Sequence, residues 1–277
     1  MKPPDRYAVV GNPISHSRSP EIHRLFARTT GEGVSYEKLE APLDGFEDFA
    51  LGLRDGGYLG LNVTIPFKID AAKLADDLSP RARLAGAVNT LKFDGDDILG
   101  DNTDGIGFVR DLRERLEFKI AGAEILVLGA GGGVRGLVAS LLEERPKWIA
   151  VANRTHGRAQ ELADEFGVEA IRFDEVPAEH FDLIINGTSS SLNQDAPPID
   201  PGTFDDCLLA YDLVYAPVET PFLCLARQSG ARRVSDGLGM LIEQAAESFA
   251  VWRGVRPKTD SVYREMRRLL DMGVAPA

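Results

Sequence analysis

Apolar and polar residues follow two different periods along this chain. Near its middle the run Ile125-Leu126-Val127-Leu128 passes directly into Gly129-Ala130-Gly131-Gly132-Gly133 and then into helical spacing over about Val134 to Glu144, which predicts strand, tight turn and helix. A second apolar run, Trp148 to Asn153, completes a β-α-β unit. Phe181 to Asn186 and Cys207 to Tyr215, ending at Ala216-Pro217, read as further strands on either side of a serine- and proline-containing loop, Ser189 to Pro201. Thr220 to Gln228 reads as helical, Arg232 to Val234 as a short strand, and Ser235 to Gly239 as a turn opening a helix over Met240 to Trp252. A last amphipathic helix carries Val262, Met266, Leu269 and Leu270.

The N-terminal part mixes strand and helix periods more closely. Tyr7 to Gly11 predicts a buried strand, and the polar loop Asn12 to Pro20 leads to a helix over about Glu21 to Thr29, with Ser19 as its N-cap and Pro20 in its first turn. Val34 to Leu39 is a strand candidate, Phe46 to Gly56 a helix, and Leu59 to Ile65 a strand stopped by Pro66. Lys68 opens a helix to about Ala75, which Arg81 to Leu84 continues; Ala87 to Phe93 is a strand, and Asp94-Gly95-Asp96 turns into Ile98-Leu99. The polar stretch Gly100 to Gly105 then precedes Ile106, Val109, Leu112 and Leu116 at helical spacing, so Asp104 falls at a helix N-terminus. The pattern as a whole predicts an α/β protein of two domains, with the boundary near Gly105 to Phe108.

The glycine turn suggests a ligand. Glycine at 129, 131 and 132 lets the backbone approach an anion that the helix N–H groups face, as a dinucleotide pyrophosphate requires, although such turns also serve as plain connections. At the end of the second strand stands Asn153-Arg154-Thr155, with Arg158 one turn on, where an acid would grip a ribose 2′-hydroxyl. Guanidinium groups and a hydroxyl suit a 2′-phosphate, so NADP is expected over NAD; the competing reading makes Arg154 and Arg158 surface residues of a solvated helix.

Composition narrows the partners. A chain of 277 residues with 44% hydrophobic and 27% charged residues is ordinary for a globular protein, and a net charge of −12 argues against a nucleic-acid or anionic membrane partner. Cys207 and Cys224 form neither a C-x-x-C pair nor a disulfide framework, and the histidines at 16, 23, 156 and 180 lack metal-ligand spacing, so no metal is expected. No leader and no long apolar run is evident, which reads as cytoplasmic.

A hydride transfer to a carbonyl also needs a proton source. Lys68 and Asp104 are the best pair, each at a strand-to-helix junction of the N-terminal domain. Lysine in a first helical turn opposes the helix dipole and asks for a reason, while Asp104 could equally be an N-cap. Asn62, Asn89, Thr64, Ser17, Ser19 and Gln244 are neutral hydrogen-bonding side chains, as a polyol would require; Ser19 reads equally as the cap, and Gln244 as an exposed helix position. His16 reads as a buried, hydrogen-bonded histidine.

The segments Gly11 to Pro20, Asn62 to Lys68, Gly86 to Thr90, Gly100 to Gly105, Asn153 to Thr155 and Asp236 to Met240 resemble, in order, the successive signatures of the shikimate dehydrogenase family. The resemblance implies NADPH-dependent reversible reduction of 3-dehydroshikimate to shikimate, in chorismate and aromatic amino acid biosynthesis. It implies a substrate domain over 1–105 completed by 240–277, and a Rossmann-type NADP domain over 106–239. It makes Lys68 and Asp104 the catalytic pair, Ser17 and Ser19 the carboxylate-binding serines, and Thr64, Asn89, Tyr215 and Gln244 further substrate contacts. It assigns the loop Gly129, Ala130, Gly131, Gly132 and Gly133, with Asn153, Arg154, Thr155 and Arg158, to NADP, and Leu213 and Gly237 to the surroundings of the nicotinamide. Its partners are a small-molecule substrate and, as the assembly to test, a homodimer. Three positions depart from the family pattern: Gly133 stands for the usual alanine, Leu213 for a common methionine, and Asn186 to Ser191 varies an Asn-Ala-Thr-Ser motif. An NAD-dependent quinate/shikimate paralogue would call for an acid where Arg154 stands, and a non-catalytic dinucleotide sensor would call for loss of the Lys68 and Asp104 pair.

Overall fold

Short apolar runs separated by amphipathic helices bury themselves by stacking helices on sheets, and the chain does this twice. The computed structural model describes residues 3–178 and 180–276, which cluster into two units, Met1–Phe108 with Leu241–Ala277, and Val109–Met240. The first unit runs β1 (Asp5–Gly11), α1 (Ser19–Thr30), β2 (Val34–Glu40), α2 (Phe46–Asp55), β3 (Tyr58–Val63), α3 (Lys68–Leu74), β4 (Asp77–Leu78), α4 (Pro80–Ala85), β5 (Thr90–Asp94) and β6 (Asp97–Asp101). Its sheet order is β2-β1-β3-β5-β6-β4, with β1 parallel to both neighbours and β5 antiparallel to β3 and β6. Its core gathers Val10, Leu61, Phe67, Val88 and Leu91.

Helix α5 (Asp104–Arg110) continues into a π-helical turn, Asp111–Arg115, and leads into the second unit. There follow β7 (Glu124–Leu128), α6 (Gly132–Glu143), β8 (Trp148–Ala152), α7 (His156–Phe166), β9 (Glu169–Ile171), β10 (Leu183–Asn186), β11 (Leu209–Asp212), α8 (Pro221–Gln228) and β12 (Val234–Ser235). Every strand pair is parallel, in the order β12-β11-β10-β7-β8-β9. That is the doubly wound arrangement, with its switch point between β7 and β10, and its runs are apolar throughout because both sheet faces are covered. The chain then returns to the first unit within α9 (Leu238–Arg253) and ends in α10 (Asp260–Asp271), whose Val262, Met266 and Leu270 are buried.

Several local expectations are corrected. The N-cap of α1 is Arg18 with no side-chain cap, and Ser19 is already helical, because Pro20 is accommodated within the first turn one position further in. Residues 81–84 do not extend α3: Asp77–Leu78 pairs with β6 first, and Ser79 caps a separate helix by accepting from Ala82 N. The strand expected over 87–93 is β5, which begins only at Thr90: Asn89 still bonds Val63 N and Asp101 O through its backbone, but Val88 N turns to Lys68 O at the start of α3. The strand expected over 207–215 is only Leu209–Asp212, since the Asp212 carboxylate accepts from Val214 N and turns the chain.

Candidate active site

Lys68 begins α3 directly after the strand-ending segment Thr64 to Phe67, and Asp104 begins α5 directly after β6 and its polar loop. Thirty-six residues apart in sequence, they meet: Lys68 Nζ donates to Asp104 Oδ2 at 2.5 Å, with the lysine side chain 22% exposed and the aspartate 11%. A carboxylate partner offsets the dipole penalty of a cation at a helix start.

Asn89 holds the other side of the carboxylate. Its Nδ2 donates to Asp104 Oδ1 at 2.8 Å and to Thr103 Oγ1 at 2.9 Å, and its Oδ1 accepts from Thr103 N at 2.8 Å. Asn102 Oδ1 accepts from Asp104 N, so the carboxylate is fixed from backbone and side chain together. Gln244, on α9, reaches the same cluster, its Oε1 accepting from Asn89 Nδ2 at 3.3 Å while its Nε2 donates to Leu241 O. Gln244 is therefore an integrated, half-buried position. Ser248, one turn further along α9, shares hydrogen bonds with Thr90 and Thr103, and its i, i+4 spacing from Gln244 is the signal that could have found it.

Ser17 and Ser19 face each other at 3.3 Å between hydroxyls, at the start of α1. Thr64 lies beside Gly11, where a Cβ would come 2.5 Å from its methyl group. Among the described residues no side-chain hydrogen bond joins Ser17, Ser19 or Thr64 to the Lys68 cluster. His16 is exposed, not buried as expected: it lies in the turn where Ser17 N bonds back to Ile14 O, and Ile14 takes the buried position.

In the second unit the remaining candidates lie at the carboxyl ends of strands. Gly129 follows β7 with φ +106°, and a Cβ there would come 2.9 Å from the Gly187 backbone that follows β10, so the two turns flank the switch point. Gly131, Gly132 and Gly133 border open space, with no heavy atom within 4 Å of an added Cβ, and α6 starts without a side-chain cap. These free N–H groups fit the pyrophosphate of a dinucleotide. After β8, Asn153 Nδ2 donates to Thr155 O, and Arg154 and Arg158 are exposed with no acidic partner among the described residues. Two guanidinium groups left free beside a helix start fit a 2′-phosphate.

Leu213 and Tyr215 follow β11, and an added Cβ at Gly237 would run into the Leu213 carbonyl, so only glycine lets these segments touch. Asp212 orders this end of the sheet: its buried carboxylate accepts from Ser191 Oγ and Thr220 Oγ1, each at 2.6 Å. Burial pushes its pKa up, and those donors oppose the shift. No group of His, Cys, Asp or Glu among the described residues is arranged to hold a metal, both cysteines are free thiols, and no helix is long and apolar enough to cross a membrane.

A doubly wound sheet with an open glycine turn, joined in one chain to an α/β unit carrying a lysine–aspartate pair among neutral hydrogen-bonding side chains, defines a two-unit, dinucleotide-dependent oxidoreductase. Family profiles match along the chain: the shikimate dehydrogenase substrate binding domain over residues 9–91, shikimate / quinate 5-dehydrogenase over 111–194, and the shikimate 5′-dehydrogenase C-terminal domain over 237–267. The shikimate dehydrogenase (NADP(+)) of Aromatoleum aromaticum is 50% identical over 276 residues, covering 97% of this chain and 99% of the relative. Among solved structures, an Ael1 enzyme from Pseudomonas putida superposes with a TM-score of 0.91 at 44% identity, over 94% of this chain and 97% of the other. The shikimate 5-dehydrogenase of Thermus thermophilus, solved with NADP(H) and shikimate, gives 0.88 at 35% identity, over 96% of this chain and all of the other. The chain belongs to the shikimate dehydrogenase family.

Proposed function

We propose that this protein catalyses the reversible, NADPH-dependent reduction of 3-dehydroshikimate to shikimate, and that Lys68 and Asp104 carry its proton chemistry. The observation that supports this reading is the 2.5 Å contact between Lys68 Nζ and Asp104 Oδ2. When bound, NADPH supplies the hydride. The Gly129 to Gly133 turn would hold its pyrophosphate, and Arg154, Arg158, Thr155 and Asn153 its 2′-phosphate, with Leu213 and Gly237 bordering the nicotinamide.

In the reduction, Lys68 Nζ donates the proton that the carbonyl oxygen acquires, and in the oxidation of shikimate it takes that proton back. Asp104 keeps the ammonium aimed and accepts a hydrogen bond from a ring hydroxyl of the substrate. Asn89 and Gln244 hold neighbouring hydroxyls, Ser17 and Ser19 donate to the carboxylate, and Thr64 and Tyr215 complete the contacts.

This reading includes a cytoplasmic setting, which the two unpaired cysteines support, and a homodimer is the assembly to test by sedimentation. An assay of purified protein with shikimate or quinate, crossed with NADP+ or NAD+, tests the reading. Turnover is expected to be fastest with shikimate and NADP+; a preference for NAD+ with quinate would favour the paralogous reading, and no turnover with any pair would refute catalysis.

A further inference from the structure

Arg81 lies on α4, apart from every group assigned a role above, yet its guanidinium bridges two elements of that site. Nε and Nη2 grip the Asp101 carboxylate in a fork at 2.7 and 2.6 Å, and Nη1 reaches Glu247 Oε1 on α9 at 3.0 Å. Asp101 ends β6 and opens the loop to Asp104: its Oδ1 also accepts from Ser79 Oγ at 2.5 Å and Asn102 N at 2.7 Å, and the Asn102 side chain in turn accepts from Asp104 N. Glu247 stands on the same helix as Gln244, one turn away. Burial alone would raise the Asp101 pKa, but the paired guanidinium and the Ser79 and Asn102 donors outweigh it and hold the carboxyl below its ordinary value.

We infer that Arg81 is a positioning residue for the reaction: by clamping Asp101 to Glu247 it sets the register between the loop that presents Asp104 and the helix that presents Gln244. This rests on the reading that Asp104 and Gln244 act on the substrate. A planar fork can fix both partners at once, which a lysine ammonium on a flexible stem cannot. Misplacement of a positioned group by about 1 Å can cost on the order of a hundredfold in rate, so a clamp of this kind shows in kinetics as well as in stability.

The test uses the full chain with shikimate and NADP+. Arg81→Met is expected to lower kcat about tenfold or more through Asp104 and to raise KM for shikimate several-fold through Gln244, with NADP+ affinity, measured calorimetrically without shikimate, unchanged. Glu247→Gln, which leaves the Arg81 to Asp101 fork whole, is expected to raise KM for shikimate with little change in kcat, and Arg81→Lys to recover only part of the loss. A merely structural bridge would lower the melting temperature and leave kcat and KM within about twofold of the parent, which would overturn the inference. If Arg81→Met does not fold, Glu247→Gln and Arg81→Lys decide, and unchanged constants in both overturn it. Asp104→Asn and Gln244→Ala are run alongside: if these leave the kinetics intact, the reading of the site has failed, whereas if they collapse turnover and the Arg81 and Glu247 variants do not, the clamp alone has failed.

Discussion

Removing the Lys68 ammonium leaves the Asp104 carboxylate accepting from Asn89 Nδ2 and the Asp104 backbone N–H donating to Asn102 Oδ1, so Lys68→Ala separates proton transfer from substrate binding. Its kcat for shikimate oxidation is expected to fall about 10²–10⁴-fold with KM little changed, and an unaltered kcat in steady-state assays would remove Lys68 from the mechanism. At the other substrate, Arg154→Ala is expected to weaken NADP+ binding by about tenfold to a hundredfold, the usual contribution of one charge-assisted hydrogen bond, and to leave NAD+ binding nearly as it was. Equal losses for both nucleotides in calorimetric titration would refute the phosphate clamp. A third residue reports on pH. His23 is fully buried, stacked on Tyr36 at 4.0 Å, and neither ring nitrogen has a hydrogen-bond partner among the described residues. Burial lowers its pKa from 6.5 to about 3, with the nearby Asn62 amide opposing weakly. The depressed value means that below pH 6.5 the unfolded chain binds a proton that the folded chain refuses. Stability is thus full above that pH and falls as acid is added, at up to about 1.4 kcal/mol per pH unit. Unfolding free energies from urea titrations of the parent and His23→Phe, compared at about pH 7.5 and pH 5, should diverge by about 2 kcal/mol, and parallel pH dependences would exclude His23 as the source.

At the scale of elements, α5 and α9 approach so closely at Gly107 that an added Cβ would come 2.5 Å from Gln244 N and 2.7 Å from its Cα. Gly107→Ala must push α9 away, costing about 1–3 kcal/mol and carrying Gln244 from its partners, so KM for shikimate should rise while NADP+ affinity holds. A KM equal to the parent's would show that α9 yields without moving the amide. That contact also marks what the sequence could and could not disclose. Continuous apolar runs placed Glu124–Leu128 and Trp148–Ala152, which are covered on both faces, and helical spacing placed the two C-terminal helices, because burial imprints itself on consecutive residues. Two- and three-residue strands such as Asp77–Leu78 and Glu169–Ile171 are too short to carry a period, and the π-helical turn at Asp111–Arg115 depends on a carboxylate drawn inward by Arg115 and Tyr211, a tertiary cause. In the site, the motifs disclosed which side chains could do chemistry. They did not disclose that Asn89 bonds Gln244 across 155 positions, or that Arg81 ties Asp101 to Glu247, since long-range pairings leave no local pattern.

Over the whole molecule, the path of the chain makes one unit discontinuous: residues to Phe108 and from Leu241 build the first, and the intervening residues build the second. Trp252, far along α9, belongs to the core of the first, stacked on Tyr7 at 4.6 Å and donating its indole N–H to Leu91 O at 2.9 Å. Trp252→Ala deletes both interactions and should cost that unit about 3–5 kcal/mol, without touching the parallel sheet of the other. NADP+ acts in the opposite direction: saturation at a hundred times its dissociation constant adds about 2.7 kcal/mol to whichever unit holds it. Two separately cored units are therefore expected to give two calorimetric transitions, one raised by NADP+ and insensitive to Trp252→Ala, the other lowered by the substitution and insensitive to NADP+. A single transition that both perturbations shift together would mean that the two cores melt as one cooperative body, and the second unit would then owe its stability to the C-terminal helices as much as the first does.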